Sequence, residues 1–319
     1  MHIEKLTEKL LQGDFHAAAK LITFLENNNH SEQIIKSIYP YRKKSYLLSI
    51  TGAPGVGKST ITDKLIDRFR SQNKTVGVIA IDPTSPFSGG AILGDRIRLQ
   101  RHSTDNGIFI RSMSTQGHLG GLAPNTNNAI TVLSVLGCDY IVIETVGVGQ
   151  SEVEIVKYAD TVVLVLTPSS GDSIQIMKAG IMEIGDIFVV NKCDRQGCKK
   201  IVTSLEILQQ LSEKKTNYVP PIVETIAKDN KGIDELYCTI ENHKEFLYDN
   251  HIHTRKQKGR IENEIISIIQ GILLSNTKEK LQSNNKLLKM VDSVYKKNTD
   301  PYSIANEIIN NNLAINKRN

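Results

Sequence analysis

The feature that most constrains this chain is the run SYLLSITGAPGVGKST at residues 45–60. A short apolar segment leads directly into a glycine-rich loop, and the loop fits the pattern G-x-x-x-x-G-K-[ST] in full. The apolar segment predicts a buried strand, and the residues after the loop predict the start of a helix. A strand, a glycine-rich loop and a helix in this order predict a phosphate-binding loop.

The residue types in this loop match the chemistry of phosphate binding. Glycines permit positive φ angles and let successive N–H groups point inward at an anion. We expect Lys58 to reach the β and γ phosphates and the Ser59 hydroxyl to ligate Mg²⁺. A plain glycine-rich turn would explain neither residue, so the sequence predicts a bound nucleoside triphosphate. The predicted nucleotide-binding residues here are Gly52, Ala53, Pro54, Gly55, Val56, Gly57, Lys58, Ser59 and Thr60.

A second motif, Asn191-Lys192-Cys193-Asp194, follows a later apolar run and fits the guanine signature N-K-x-D. The Asp194 carboxylate can accept from N1–H and from the 2-amino group of guanine, whereas adenine offers no such pair of donors. We expect Lys192 to pack along the base and Asn191 to brace the neighbouring loops. The backbone N–H of Ala227, in a later loop, is a candidate donor to guanine O6. The predicted bound nucleotide is therefore GTP or GDP.

Acidic residues at the ends of predicted strands are candidate metal and switch residues. Asp82 directly follows the second predicted strand and ends its apolar run, where it could cap a turn or support Mg²⁺. We favour metal support because a phosphate loop is already present. Glu144 and Gly147 stand where switch loops carry D-x-x-G, so the Gly147 N–H is expected to meet the γ-phosphate. Val148 follows this glycine where a water-orienting Gln would stand, which predicts slow intrinsic hydrolysis.

The alternation of apolar runs with helical segments predicts the fold class. We expect an α/β fold of the P-loop NTPase type, with a mostly parallel central sheet flanked by helices. The candidate strands are Ser45–Thr51, Thr75–Ile81, Ile108–Arg111, Tyr140–Glu144, Thr161–Leu166, Ile187–Asn191 and Ile222–Thr225. The predicted domains are an N-terminal helical segment at 1–44, a GTPase domain at 45–245 and a C-terminal helical arm at 246–319.

The C-terminal arm carries an apolar stripe at helical spacing. Such a stripe either packs on the core or forms a dimer, and we favour a homodimer. The residues of the stripe are Ile261, Ile265, Ile268, Ile269 and Ile272.

Composition narrows the possible partners and the location. The net charge of +5 comes from dispersed lysines with few aromatic residues, which favours solvated helix faces over a nucleic-acid surface. Without an apolar run near the roughly 18 residues that span a bilayer, we expect no membrane insertion. The amphipathic start predicts a cytoplasmic protein or the mature form of an organellar one. We expect ordinary reduced thiols, with no disulfide or structural zinc, at Cys138, Cys193, Cys198 and Cys238.

Taken together, the motifs resemble those of one family over nearly the whole chain. The matching segments are GAPGVGKST, IDPTSPFSGGAILGDRIR, FIRSMSTQGHLGGL, ETVGVGQSE, NKCD and DPYSIA. They resemble the GTPases that chaperone adenosylcobalamin-dependent methylmalonyl-CoA mutase, the MeaB or methylmalonic aciduria type A family, also labelled ArgK or LAO/AO transport kinases.

The resemblance implies roles for further residues. It implies catalytic roles for Lys58, Asp95 and Glu144, and a metal site formed by Ser59, Asp82, Asp95 and Glu144. It also implies a switch with Gln175 and Lys178 that senses the mutase, and a homodimer formed through the C-terminal helices. One departure is Ile226-Ala227, where the family has Ser-Ala in the last guanine loop, so side-chain support of that loop differs.

The resemblance implies a GTP hydrolase that gates loading of adenosylcobalamin into the mutase and protects the cofactor. One alternative is a nickel-delivery GTPase of the hydrogenase or urease type, which predicts a His-rich tract or a Cys/His pair that His118 alone does not supply. Another alternative is a protein kinase associated with amino-acid transport, which would transfer phosphate to a protein instead of water.

Overall fold

The computed structural model describes residues 2–27, 30–82, 99–114, 126–145, 158–168, 184–211, 218–282 and 286–315. The strands are β1 (Tyr46–Thr51), β2 (Val76–Asp82), β3 (Ile108–Ser114), β4 (Tyr140–Thr145), β5 (Thr161–Leu166), β6 (Ile187–Asn191) and β7 (Ile222–Thr225). The helices are α1 (His2–Leu11), α2 (Phe15–Glu26), α3 (Ser31–Ile38), α4 (Lys58–Ser71), α5 (Thr126–Leu136), α6 (Cys198–Leu211), α7 (Ile233–Asp249), α8 (Ile252–Gln282), α9 (Lys286–Tyr295) and α10 (Pro301–Ile315).

The strands form one parallel sheet in the order β3-β2-β4-β1-β5-β6-β7. This confirms the predicted α/β class, and each predicted strand is found within three residues of its expected bounds. Strands β1, β4, β5 and β6 are buried along their whole length, as expected for parallel strands that are covered on both faces. All strands point the same way, so the loops that follow β1, β4, β6 and β7 meet at one edge.

Two apolar cores lie on opposite faces of the sheet, because successive strand residues point to opposite sides. One core contains Leu48, together with Phe69 of α4. The other contains Leu47, together with Leu10 and Leu21 of the N-terminal helices. The N-terminal helices therefore cover one face of the sheet.

The chain divides into two compact units, residues 1–257 and residues 258–319. The domain boundaries expected after residues 44 and 245 stay predictions. In the second unit, the apolar stripe of α8 is exposed in the single chain, with Ile265 at 52% and Ile269 at 50% of full exposure. Among the described residues, none of the helices has the length and apolar character needed to cross a membrane.

Candidate nucleotide-binding site

The glycine-rich loop connects β1 to α4, and its backbone conformation requires glycine. The φ angles are +140° at Gly52, +77° at Gly55 and +103° at Gly57, in the region that L side chains rarely adopt. A Cβ on Gly52 would lie 2.2 Å from the carbonyl oxygen of Val165 in β5, and a Cβ on Gly57 would lie 2.3 Å from Nδ2 of Asn191. The loop is therefore fitted closely against the neighbouring strands.

Lys58 is the first residue of α4 and is buried against the loop. Its Nζ donates to the carbonyl oxygens of Gly52 at 2.7 Å and Ala53 at 3.0 Å. The preceding residue, Gly57, supplies no side-chain acceptor that would compete for the N–H groups of the first helical turn. A lysine ammonium and a helix N-terminus therefore face the same position, which is the arrangement that binds phosphate.

The next residue, Ser59, is joined to the carboxylate at the end of β4. Its Oγ donates a 2.6 Å hydrogen bond to Oε1 of Glu144, and the Thr62 hydroxyl donates to Oε2 of the same carboxylate at 2.8 Å. All three side chains are buried. Because Ser59 and Thr62 are three residues apart on α4, they lie on the same helix face. Sequence reasoning identified Ser59 and Glu144 but missed Thr62, which this spacing could have indicated.

Asn191, at the end of β6, links the phosphate loop to the end of β7 and the loop that follows it. Its Nδ2 donates to the carbonyl oxygen of Val56 at 2.8 Å, and its Oδ1 accepts from Thr225 Oγ1 and from the Ala227 N–H, both at 3.1 Å. The side chain is 2% exposed. The amide therefore braces the phosphate loop against the loop after β7, the role that the sequence suggested.

Lys192 and Asp194 follow Asn191 in the predicted guanine-reading segment. Lys192 has a φ of +62°, and its Nζ donates to the carbonyl oxygen of Gly55 at 2.5 Å. Burial lowers the pKa of the Lys192 ammonium, and the neighbouring Arg195 lowers it further. Asp194 is exposed and forms a 3.3 Å ion pair with Lys228, a partner that sequence reasoning did not identify.

The loop after β7 is supported by backbone hydrogen bonds. Ile226 and Lys231 form an isolated bridge, with N···O distances of 3.0 and 3.3 Å, which provides support where the family has a serine. The Ala227 N–H, expected to reach guanine O6, donates to Asn191 in this structure. Its role toward the base stays a prediction.

The expectation that all four cysteines are reduced thiols is wrong for two of them. Cys193 and Cys198 form a disulfide, with their Cα atoms 5.1 Å apart. Cys193 lies in the loop that carries Asp194, after the end of β6, and Cys198 is the first residue of α6. Cys138 and Cys238 are free.

Other predicted site residues fall outside the described residues. These are Asp95, Gly147, Gln175 and Lys178, together with the side chain of Asp82. The backbone of Asp82 ends β2, which pairs in parallel with β4, the strand that carries Glu144. The structure thus connects Lys58, Ser59, Glu144, Asn191 and Lys192 through the phosphate loop and its neighbours. Asp194 is paired with Lys228.

A parallel sheet, a glycine loop that closes on a lysine, and an N-K-x-D strand end define a P-loop GTPase. The chain belongs to the MeaB family: residues 18–282 match the family model described as methylmalonyl Co-A mutase-associated GTPase MeaB. Its relatives are named as GTPases, and this chain is accordingly a GTP hydrolase.

Individual relatives support this assignment, and a solved structure shares the fold. The chain is 50% identical to a putative GTPase of Pyrococcus abyssi over 98% of this chain and 99% of that protein. It is 32% identical to the GTPase ArgK of Escherichia coli, over 75% of each chain. The mouse mitochondrial methylmalonic aciduria type A homolog is also 32% identical, over 75% of this chain and 62% of that protein. The crystal structure of an LAO/AO transport system kinase has the same fold, with a TM-score of 0.69 and 22% identity over 97% and 96% of the two chains.

Proposed function

We propose that this GTPase is a chaperone of adenosylcobalamin-dependent methylmalonyl-CoA mutase, in which GTP hydrolysis gates loading of the cofactor and protects it. The observation that carries the proposal is the match of residues 18–282 to a family named for its association with that mutase. The site geometry supports the nucleotide half of the proposal, and the mutase half comes from the family alone.

In the proposed reaction, water attacks the γ-phosphate and GDP leaves. The Lys58 ammonium lies against the loop, where it donates to two loop carbonyls, and it would also donate to phosphate oxygens of the nucleotide. The loop N–H groups and Lys58 would then stabilise the charge that develops on the phosphoryl oxygens. Because the hydrogen bond of Asn191 holds the loop, little reorganisation would be needed when nucleotide binds.

Selection of guanine is proposed to rest on Asp194. Its carboxylate is exposed at the end of the N-K-C-D segment and is held by Lys228 at 3.3 Å. Guanine offers it two N–H donors, whereas adenine would leave the carboxylate without them. The Lys192 stem, fixed by the hydrogen bond from its Nζ to Gly55, would cover one face of the base.

Mg²⁺ suits the oxygen donors at Ser59 and Glu144, which are buried and directly adjacent. We propose that Ser59 ligates the ion and that Glu144 holds it directly or through water, with Asp82 and Asp95 as further candidates. When bound, the ion would neutralise charge on the β and γ phosphates.

We also propose that the chain forms a homodimer through the apolar stripe of its C-terminal helices. Ile261, Ile265, Ile268, Ile269 and Ile272 are between 42% and 54% exposed in the single chain. Such a row of isoleucines on one helix fits an interface between copies. Light scattering on the wild type and on the double variant Ile265→Glu/Ile269→Glu tests this. We expect the wild type to be a dimer and the double variant to be a monomer. A monomeric wild type would contradict the proposal.

The experiment for the main proposal is phosphate release by the purified protein, with and without methylmalonyl-CoA mutase from the same organism. ATP and the variant Lys58→Ala serve as controls. We expect the mutase to accelerate GTP turnover, with ATP and the variant inactive. Equal GTP turnover with and without the mutase would contradict the chaperone role, and a stable phosphoprotein formed from labelled GTP would favour the kinase alternative.

A further inference from the structure

A pair of cysteines flanks Asp194, the residue that we propose reads guanine. Cys193 is the third residue of the N-K-C-D motif, and Cys198 is the first residue of α6. We propose that Cys193 and Cys198 form a reversible disulfide that controls the affinity of the site for guanine nucleotides. This inference rests on the proposed guanine-reading role of Asp194.

The backbone around the pair supports bond formation. The Cα atoms are 5.1 Å apart, within the range that a disulfide bridges without backbone movement. Gly197, just before Cys198, has a φ of +98°, so the chain turns back at a residue without a side chain to strain. The Cys193 N–H donates to the Thr225 carbonyl oxygen at 3.1 Å, which anchors this end of the loop to β7.

The surroundings of the two sulfur atoms also suit the reduced state. Sγ of Cys193 is 3.2 Å from the carbonyl oxygen of Val190, and Sγ of Cys198 is 3.3 Å from Oε2 of Glu224. When the disulfide is reduced, the Val190 carbonyl oxygen and the Glu224 carboxylate are nearby acceptors for the two thiol protons. Neither thiol is then left without a polar neighbour, which is compatible with a reversible bond.

The proposed chemistry is thiol–disulfide exchange with a low-molecular-weight disulfide. Cys193 is half-buried and Cys198 is buried, so Cys193 is the more accessible thiol. Its thiolate attacks the small disulfide, which forms a mixed disulfide and releases one small thiol. The Cys198 thiolate then attacks Sγ of Cys193 and releases the second small thiol. Two protein thiols are oxidised and one small disulfide is reduced to two thiols.

The bond would act on nucleotide binding through Asp194. This residue is adjacent to Cys193 and lies within the loop that the disulfide closes. Closing the loop removes conformations in which the carboxylate points away from the base, so less ordering is needed on binding. We expect the oxidised protein to release GDP about three- to tenfold more slowly than the reduced protein, the range expected for pre-ordering one side chain.

Peptide mapping tests the disulfide independently of nucleotide binding. Arg195 lies between the two cysteines, so trypsin separates Cys193-Asp194-Arg195 from Gln196-Gly197-Cys198-Lys199. After treatment with oxidised glutathione and blocking of free thiols, we expect these peptides to be joined, and to separate with dithiothreitol. Absence of the joined peptide would overturn the proposal. Stoichiometric zinc on the reduced protein would also overturn it in favour of a thiolate site, because Cys193, Cys198 and Glu224 place ligand atoms within 4.8 Å of one another.

GDP release from the oxidised and reduced full-length protein tests the consequence. Fluorescent GDP is displaced from the wild type, from Cys193→Ser, from Cys198→Ser and from the control Cys238→Ser, which removes an exposed free cysteine on α7. We expect the rate of GDP release to depend on the redox state in the wild type and in Cys238→Ser. It should not depend on the redox state in Cys193→Ser or Cys198→Ser. A joined peptide with equal release rates would overturn the control of affinity. Absence of GDP binding in both redox states, with the joined peptide present, would instead refute the guanine site.

Discussion

The hydroxyl of Ser59 and the carboxylate of Glu144 lie 2.6 Å apart, and this hydrogen bond joins the first turn of α4 to the end of β4. The two residues are far apart in the sequence, and they meet because β4 pairs directly with β1, the strand that leads into the phosphate loop. Both side chains are buried, so their oxygen atoms are held beside the expected phosphate position. This relationship supports a Mg²⁺ site and leads to the first prediction.

Replacing Ser59 with alanine removes the hydroxyl that we propose ligates Mg²⁺. We expect GTP turnover to fall on the order of 100-fold, the scale on which losing one contact to a charged transition state acts. Phosphate release measured across a Mg²⁺ titration checks this. Turnover equal to that of the wild type at limiting Mg²⁺ would contradict a ligand role for Ser59.

Thr62→Val provides the matched control, because Thr62 donates to the other oxygen of Glu144. Thr62 orients the carboxylate and is not expected to touch the ion. We therefore expect a rise of about tenfold in the Mg²⁺ concentration needed for half-maximal turnover, typical of an outer-shell partner. The maximal rate at saturating Mg²⁺ should change little, in contrast to Ser59→Ala.

Replacing Gly57 with alanine combines backbone strain with a collision. The φ angle is +103°, and the added Cβ would lie 2.3 Å from Nδ2 of Asn191. Gly13→Ala is the matched control, since its φ is +87° but a Cβ there meets nothing within 4 Å. We expect Gly13→Ala to cost about 1–2 kcal/mol in the free energy of unfolding. Gly57→Ala should cost more in urea denaturation and should lose GDP binding; equal effects of the two variants would contradict this close fit.

The lowered pKa of His243, on α7, leads us to expect that the protein loses stability in mild acid. Burial lowers the pKa of His243 to about 4, although the Asp186 carboxylate opposes the shift, while Lys256 reinforces it. An unfolded histidine has a pKa of about 6.5, so below that pH the unfolded chain binds more protons than the folded one. The contribution of neutral His243 to the free energy of unfolding is complete above about pH 6.5. On the order of 3 kcal/mol of it is lost as the pH falls to about 4.

Urea denaturation at a series of pH values between 4 and 7.5 tests this prediction. We expect His243→Gln to lose less of its own stability over this interval than the wild type does. The exposed His251→Gln serves as the control and should follow the wild-type slope. Parallel slopes for the wild type and His243→Gln would show that His243 does not carry the effect.

The strands and both nucleotide motifs could be predicted because their signals are local. Short runs of β-branched residues identify buried parallel strands, and the phosphate loop depends on glycines and a lysine at fixed spacing. The strand order β3-β2-β4-β1-β5-β6-β7 is not a local signal, and it is this order that places Glu144 beside Ser59. The motif alone predicted a role for Glu144. Its contact with Thr62 depends on the strand order and was not predicted.

Contacts that depend on tertiary packing were not predicted. Lys228 reaches Asp194 only because β6 and β7 are neighbours, which brings the loops that follow them together. The Cys193–Cys198 disulfide was missed because its spacing of five residues allows many loop shapes, and only the turn at Gly197 brings the sulfur atoms together.

The central claim is that Asp194 recognises guanine and that the mutase stimulates hydrolysis of the nucleotide bound there. The most direct test changes which base Asp194 can recognise and measures hydrolysis with the mutase. Xanthine carries a carbonyl oxygen where guanine carries the 2-amino group, so the amide of Asp194→Asn can donate to it. With the mutase present, we expect this variant to hydrolyse xanthosine triphosphate with mutase stimulation, and to lose on the order of 10³- to 10⁴-fold in kcat/KM for GTP. A variant that still hydrolyses GTP as the wild type does, with the same stimulation, would contradict the account.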